Sequence, residues 1–257
     1  MKKYNRDLRE QKRLVKTDDG SYTLYSTEFD ETYHSDRDGA LYESMHKHVL
    51  PAFSIKSDRD SLKILDICFG IGYNTLATLY HIKDANLSTK VHIVSPEFDR
   101  GLIESLPDFD YPPEFKQFAH IIETLSQEFY YSDEEFTIEI LLGDARDSIP
   151  LLKDRFDIVY QDPFSPEHNP QLWTREWFQD IRKISKDDAI LTTYSIAASV
   201  RMGLDESGFK LFLVNNKGIR DSMIASLEML EGYEFIDMEL KKMRNPTARS
   251  LRDSSIL

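Results

Sequence analysis

The chain has 257 residues, 40% hydrophobic, 12% aromatic and 30% charged, with a formal net charge of −13; that suffices for one α/β domain or a domain with a small appendage. No apolar run approaches the ~18–20 residues of a membrane span, and no apolar segment follows the basic N-terminus as in a secretory leader, so a cytoplasmic location is expected. Cys68 is the only cysteine, which excludes an internal disulfide and a multi-cysteine zinc site; His46 and His48 share no helix face, and no metal is expected.

In chain order, a β-rich section at Tyr22–Phe29 precedes a helix over about Gly39–Val49 that Pro51 closes. A first core strand follows at Leu62–Leu65, then a helix at Tyr73–Ile82 and a strand at Val91–Val94. Glu114–Tyr130 has helical periodicity, Phe136–Leu142 reads as a strand, Ala145–Leu152 as a helix and Phe156–Tyr160 as a strand. The proline-rich loop Asp162–Pro170 leads into a helix at Gln171–Ile184, on which Trp173 and Trp177 read as core. Strand Ala189–Tyr194, helix Ile196–Ser207 and strands Phe209–Val214 and Ser222–Glu228 complete the pattern. Strands alternating with helices imply a doubly wound, mostly parallel sheet, and two late strands without a helix between them imply an antiparallel edge hairpin. The expected fold class is therefore α/β, Rossmann-like, with seven strands and a small N-terminal extension.

Four successive strands end in a carboxylate: Asp66, Glu97, Asp144 and Asp162. In such sheets ligands bind outside the carboxyl ends of the strands. Asp144 also suits a helix N-cap, but capping alone does not account for all four. In the turn Asp66-Ile-Cys-Phe-Gly70-Ile-Gly72-Tyr-Asn74, Gly70 and Gly72 allow positive φ or close approach of a ligand to backbone. A dinucleotide fingerprint wants a third glycine where Thr75 stands, and a pyrophosphate is disfavoured beside Asp66. S-adenosylmethionine fits better, with Asp66 near its amino-acid end, directly or through water. Glu97 would accept from the ribose hydroxyls, Asp144 from the adenine amino group, and the Ala145 amide would supply the complementary donor.

Over Leu62–Glu228 the pattern resembles the class I S-adenosylmethionine-dependent methyltransferases. A narrower resemblance lies in Phe29-Asp-Glu-Thr-Tyr33-His34-Ser35 with Gly39–Ser44, in Asp162-Pro-Phe164-Ser-Pro166 with Asn169-Pro-Gln-Leu-Trp173-Thr174, and in Gly218–Ser226. These are similar to the methyltransferase domain of the MnmC family, over about residues 22–230. That family makes 5-methylaminomethyl-2-thiouridine at the tRNA wobble position, so the resemblance implies S-adenosylmethionine as cofactor, tRNA (anticodon region) as partner and an amine as acceptor. It implies that Tyr33 and Glu43 close over the methionine end, that Asn74 joins the cofactor-binding turn, and that Pro163, Phe164 and Pro166 meet the substrate. The departures are Pro163 and Cys68, where the family favours glycine or another small residue. The FAD-dependent oxidase domain of fused members has no counterpart in this sequence, so methyl transfer alone is implied, with a separate upstream wobble-uridine enzyme.

Asp162 is the candidate catalytic residue, an acceptor-only group when ionised, placed to receive hydrogen bonds from the amine. Asp162-Pro-Phe164 is also similar to the [DN]-P-P-[FY] loop of amino-methylating nucleic-acid enzymes, which implies a carbonyl at Pro163 as second acceptor and Phe164 stacking on the base. Two other functions remain open: an aminopropyltransferase acting on a small amine, and an inactive methyltransferase-like RNA-binding protein. The expected organisation is a basic tail (1–21), an extension over the cofactor (22–61), the core (62–230) and a basic tail (231–257). Lys2, Lys3, Arg6, Arg9, Lys12, Arg13 and Lys16 lie at one end, Lys241, Lys242, Arg244, Arg249 and Arg252 at the other. Such ends on an acidic body either grip a polyanion or are solvated tails.

Overall fold

The computed structural model describes residues 12–216 and 218–256; Lys2, Lys3, Arg6 and Arg9 lie outside them. Three antiparallel strands come first among the described residues: β1 (Lys12–Lys16), β2 (Tyr22–Ser26) and β3 (Glu31–Thr32). Residues 12–16 are thus a strand and not tail. Their turn is fixed by Asp19, whose Oδ1 accepts from the Ser21 amide (2.9 Å) and the Thr17 hydroxyl (2.7 Å). The Lys12 ammonium pairs with Asp99, and the Arg13 guanidinium lies 4.5 Å over the Tyr25 ring, so both charges are engaged within the fold.

α1 (Ala40–Glu43), a π turn at Ser44–Val49 and α2 (Leu50–Lys56) follow one another directly. Pro51, expected to close the helix, stands instead in the first turn of α2. The wider π turn ahead of it changes which carbonyl faces position 51, so the missing N–H and the ring are tolerated.

The remaining elements are β4 (Ser61–Ile67), α3 (Tyr73–Asp84), β5 (Lys90–Glu97), α4 (Arg100–Glu104), α5 (Ala119–Glu128), β6 (Tyr130–Ser132) and β7 (Phe136–Leu142). Then come α6 (Ala145–Ser148), β8 (Phe156–Gln161), α7 (Arg175–Ile184), β9 (Ser185–Thr193), α8 (Ala198–Glu206), β10 (Lys210–Val214) and β11 (Ser222–Ser226). β12 (Glu234–Phe235), α9 (Met238–Arg244) and α10 (Asp253–Ile256) end the described chain. The main sheet has the order β12-β10-β11-β9-β8-β4-β5-β7-β6. From β7 to β9 it is parallel; β11 runs antiparallel between β9 and β10.

The strand order reverses between β4 and β8, which opens a crevice above their carboxyl ends. β4 is buried on both faces: Ile64 packs into one core, Leu65 and Ile67 into the other. α7 shows why its sequence is helical. Thr174 caps it by accepting from the Trp177 amide (3.1 Å), and Trp177, Phe178, Ile181 and Ile184 form one apolar stripe. Trp173 precedes that helix, following a 3₁₀ turn at Pro170–Leu172, although both tryptophans are buried as expected.

Two differences from the expected sheet are additions at its edges. β6 and β12 are two or three residues long and pair only with β7 and β10; segments this short carry no period of their own and exist through their partners. The C-terminal region is likewise not a free tail. The Ile236 amide donates to Leu211 (2.8 Å), Ile236 and Met238 are buried, Arg252 pairs with Glu176, and Asp253 meets Arg146 and Thr174. Ile236→Ala should therefore cost about 2–5 kcal/mol, read as a lower urea midpoint with unchanged slope. A loss below about 0.5 kcal/mol, as at an unengaged surface position, would return this segment to a plain tail.

Candidate active site

The turn after β4 is built from left-handed residues. Cys68, Gly70 and Gly72 have φ of 69°, 56° and 77°, so one of the three positions carries a side chain where glycine is normally needed. A Cβ at Gly70 would come within 3.0 Å of the Tyr33 ring, and one at Gly72 within 2.8 Å of the Phe69 ring. Tyr33 therefore lies directly over the turn, carried there by the loop after β3.

Two cavities open above the sheet. The first is lined by Tyr33, Cys68, Gly70, Asn74, Glu97, Gly143, Ala145 and Asn169, among others. Glu97, at the end of β5, is buried; its Oε2 accepts from the Gly70 amide (2.8 Å) and its Oε1 from the Asp99 amide (2.9 Å). Burial pushes its carboxyl up, and the two amide donors oppose that. Each oxygen keeps further acceptor capacity, which suits a diol. Asn74 and Asn169 line the same cavity with buried side-chain oxygens that have no hydrogen-bond partner. A buried acceptor left unpaired is costly, and a ligand bearing an ammonium group brings donors of the kind these oxygens lack. The residues present thus fit S-adenosylmethionine.

Not every expected residue reaches that wall. Asp66 is 1% exposed and lies outside both cavities, accepting from Thr75 Oγ1 (2.9 Å) and facing Asn74 Nδ2 at 3.5 Å. Burial raises its carboxyl to about 7; it supports Asn74 from beneath. Gly72 shapes the turn as the residue before α3, and Pro166 lines neither cavity. Asp144 caps α6 by accepting from the Arg146 amide (2.8 Å), leaving Gly143 and Ala145 in the wall. Its second oxygen has no such duty in the cap.

The second cavity lies on the other side of Tyr33 and Phe164, and includes Glu31, Asp36, Glu43, Asp162, Pro163, Tyr194 and Arg220. Glu43 belongs here, away from the first cavity, because its carboxylate is held by the Ser35 amide (2.6 Å) and Lys47 Nζ (2.8 Å). Phe164 stacks on Phe29 (centroids 4.5 Å apart, planes at 19°) and meets the edge of Tyr33 at 4.9 Å. Its carbonyl accepts from Trp173 Nε1 (2.7 Å), and Tyr194 donates to the Pro163 carbonyl (3.0 Å). The proline loop is thereby stiff.

Asp162 is in the wall common to both cavities. Asn74 Nδ2 donates to its Oδ2 (2.8 Å), and His48 Nε2 stands 3.3 Å from its Oδ1. Burial alone would raise its carboxyl; His48, His34 and Asn74 together hold it below the usual aspartate value. Burial also lowers the His34 imidazole, against the pull of Asp162 and Glu43. His48, Asn169, Tyr194 and Arg220 were not among the expected site residues, while His34 read equally as a cofactor contact or a structural histidine. His34 and Asn169 stand inside the motifs themselves, so nearness to Tyr33 and Pro170 was a usable signal. His48 gave none, since its direction depends on the π turn.

A parallel sheet with a reversed last hairpin, whose second core strand ends in a diol-suited glutamate, defines the class: an S-adenosylmethionine-dependent methyltransferase. Residues 114–228 match the family described as S-adenosyl-L-methionine-dependent methyltransferase. The crystal structure of MnmC2 from Aquifex aeolicus is 31% identical with a TM-score of 0.84, covering 95% of this chain and 80% of that one. The tRNA 5-methylaminomethyl-2-thiouridine biosynthesis bifunctional protein MnmC of Azoarcus sp. (strain BH72) is 31% identical over 224 residues, 82% of this chain and 35% of that protein. An uncharacterized protein of Methanocaldococcus jannaschii is 31% identical over 210 residues, 79% of this chain and 56% of that one. The chain belongs to the MnmC methyltransferase family, and spans 35–56% of the length of these two curated relatives.

Two measurements test this site. Glu97→Gln turns an acceptor into an NH₂ group facing one of two backbone amides, so the Kd for S-adenosylmethionine should rise on the order of 10–100-fold, given ~1.5–3 kcal/mol for a charged hydrogen bond; calorimetry showing less than a twofold change removes Glu97 from the site. Asp66, near 7 when folded against 3.8 as its ordinary value, holds a proton that the unfolded chain has released between those pH values. Its contribution to stability therefore falls as pH rises through that window. Asp66→Asn should gain on wild type from about pH 4 to about pH 7 in urea unfolding, and a pH-independent difference would contradict the assignment.

Proposed function

We propose that this chain transfers the methyl group of S-adenosylmethionine to the exocyclic primary amine of 5-aminomethyl-(2-thio)uridine at the tRNA wobble position, giving the 5-methylaminomethyl product. The carrying observation is Asp162: a carboxylate held below its usual pKa in the wall between a diol- and ammonium-suited cavity and an acidic one. A simple alkyl amine has a pKa of ~10.4, so near neutrality it arrives protonated. Among the side chains lining the second cavity, Glu43 is already paired with Lys47, while Glu31, Asp36 and Asp162 stand against Arg220, which is 77% exposed and faces Asp38. That balance favours a cationic acceptor and disfavours one whose amine already carries a carboxylate arm.

The ammonium first gives up a proton to solvent; Asp162 accepts an N–H of the neutral amine so formed and orients its lone pair toward the methyl group, whose C–S bond electrons return to sulfur. The Pro163 carbonyl has one lone pair engaged by Tyr194 and a second free for another N–H. Phe29 covers one face of the Phe164 ring and Tyr33 packs T-shaped against it, so a base stacking there has at most the second face. S-adenosylmethionine, when bound, supplies a methyl group already activated on a sulfonium. The chain's contribution is then mainly to position the two reactants and keep water out. The base must leave its anticodon stack to enter. The proposed acceptor calls for an upstream enzyme that installs the aminomethyl group, and a reaction on tRNA suits the cytoplasm.

Labelled methyl groups should pass to tRNA bearing 5-aminomethyluridine and not to the same tRNA with unmodified uridine. Folded, cofactor-binding protein that transfers none to the modified tRNA would sink the reading. Asp162→Ala should lower turnover on the order of 10²–10⁴-fold with cofactor affinity changed only a few-fold; lost cofactor binding in a calorimetric titration would reassign Asp162.

A further inference from the structure

His48 is fully buried, and the reaction described so far does not use it. Its Nδ1 is 2.9 Å from Thr192 Oγ1 of β9, while its Nε2 is 3.3 Å from Asp162 Oδ1, out of hydrogen-bond alignment and without any other partner. A buried polar nitrogen left unpaired costs ~1–3 kcal/mol, so this atom needs the carboxylate beside it. An ionised carboxylate only accepts; the contact is favourable when the proton is on Nε2. In the neutral ring Nδ1 is then an acceptor, and the Thr192 hydroxyl is the donor placed to fill it.

We propose that Thr192 fixes His48 in its Nε2–H tautomer, and that His48 is thereby a positioning residue that holds the Asp162 carboxylate ionised and oriented toward the acceptor amine. The inference rests on the reading of Asp162 above. Asn74 holds the other carboxylate oxygen from α3, so the group is gripped from two elements and its remaining lone pairs point where neither neighbour stands. The π turn is the device that permits this, since it sets the direction in which His48 leaves its helix; such turns are frequent at functional sites. The groups facing His48 are Asp162, Thr192, Asp66 of β4, His34 and Tyr160 of β8, whose ring lies 5.7 Å away. Asp66 is raised to about 7 and His34 is lowered, both by burial, which leaves Asp162 as the ionised partner.

The test uses His48→Leu, His48→Gln, Thr192→Val and Thr192→Ser on the full chain, with tRNA bearing 5-aminomethyluridine and a pH profile of kcat. His48→Leu should reduce kcat on the order of 10–100-fold, as loss of an orienting partner does elsewhere. It should also move the acid limb to higher pH, because a buried carboxylate without its donor protonates more readily. The KM for S-adenosylmethionine should stay within about twofold, since His48 is outside the first cavity's wall. Glutamine keeps a donor near the Nε2 position and serine keeps the hydroxyl, so each should recover part of what leucine and valine lose. Acid limbs unmoved in His48→Leu and Thr192→Val, or glutamine as impaired as leucine in folded protein, would overturn the proposal. If His48→Leu does not fold, the glutamine and Thr192 variants decide it. Imidazole ¹⁵N shifts of the free enzyme need no acceptor: an Nδ1–H tautomer overturns the pair outright. An Nε2–H tautomer in a wild-type protein that methylates no such tRNA would instead fault the substrate reading and leave the pair standing.

Discussion

Asp66, Glu97 and Asp162 end three strands, β4, β5 and β8, that neighbour one another in the sheet, and all three carboxylates are largely removed from water. Burial disfavours charge, and like charges at one rim disfavour it further. The site is built around relieving that strain differently at each strand end. Asp66 has only a hydroxyl and a distant amide, so burial prevails and its pKa rises to about 7. Glu97 is raised by burial as well, with two backbone amides opposing the rise. Asp162 has Asn74 and the two histidines, and it alone of the three falls below its usual value.

The same donors shape the backbone. The amide of Gly70 reaches Glu97 because the turn after β4 runs through left-handed residues, one of them Cys68. A side chain in that region costs ~1–3 kcal/mol and persists only when its surroundings over-determine it. Here the surroundings are the Glu97 bond on one side and the Tyr33 ring on the other. The cofactor-side wall and the N-terminal extension are therefore mutually dependent. Asp19 ties the first hairpin to the amide of Tyr42 on α1 (3.0 Å), and Glu43, one residue on, holds the loop carrying Tyr33 through Ser35.

Several positions at the rim were legible in the strand ends and not in any single motif. Glu97 was readable because a strand predicted at Val91–Val94 leads straight to it. Asp162 was readable because it opens a proline-rich loop after Tyr160. Asp66, expected beside the ligand's amino-acid end, lies beneath the cavity wall instead, since one further position along β4 reverses the face that a side chain takes. Glu43 was placed correctly near the site but on the wrong cavity, because Tyr33 and Phe164 divide the space and no local pattern encodes a partition wall. The C-terminal residues read as a tail because their apolar members, Ile236 and Met238, are too sparse to show a period.

What the sequence by itself determined is the order of strands and helices, the glycine turn and the succession of rim carboxylates. These are local matters of period, breaker and spacing, and they suffice to imply the sheet and its carboxyl edge. Only the tertiary structure decided which acid stays ionised, which cavity each residue lines, and that His48 faces Asp162 across 114 positions of chain, through a π turn. Those outcomes depend on burial and on donors brought from distant elements, such as Thr192 and Asn74. Such long-range terms have no signature in the spacing of residues along one strand or helix.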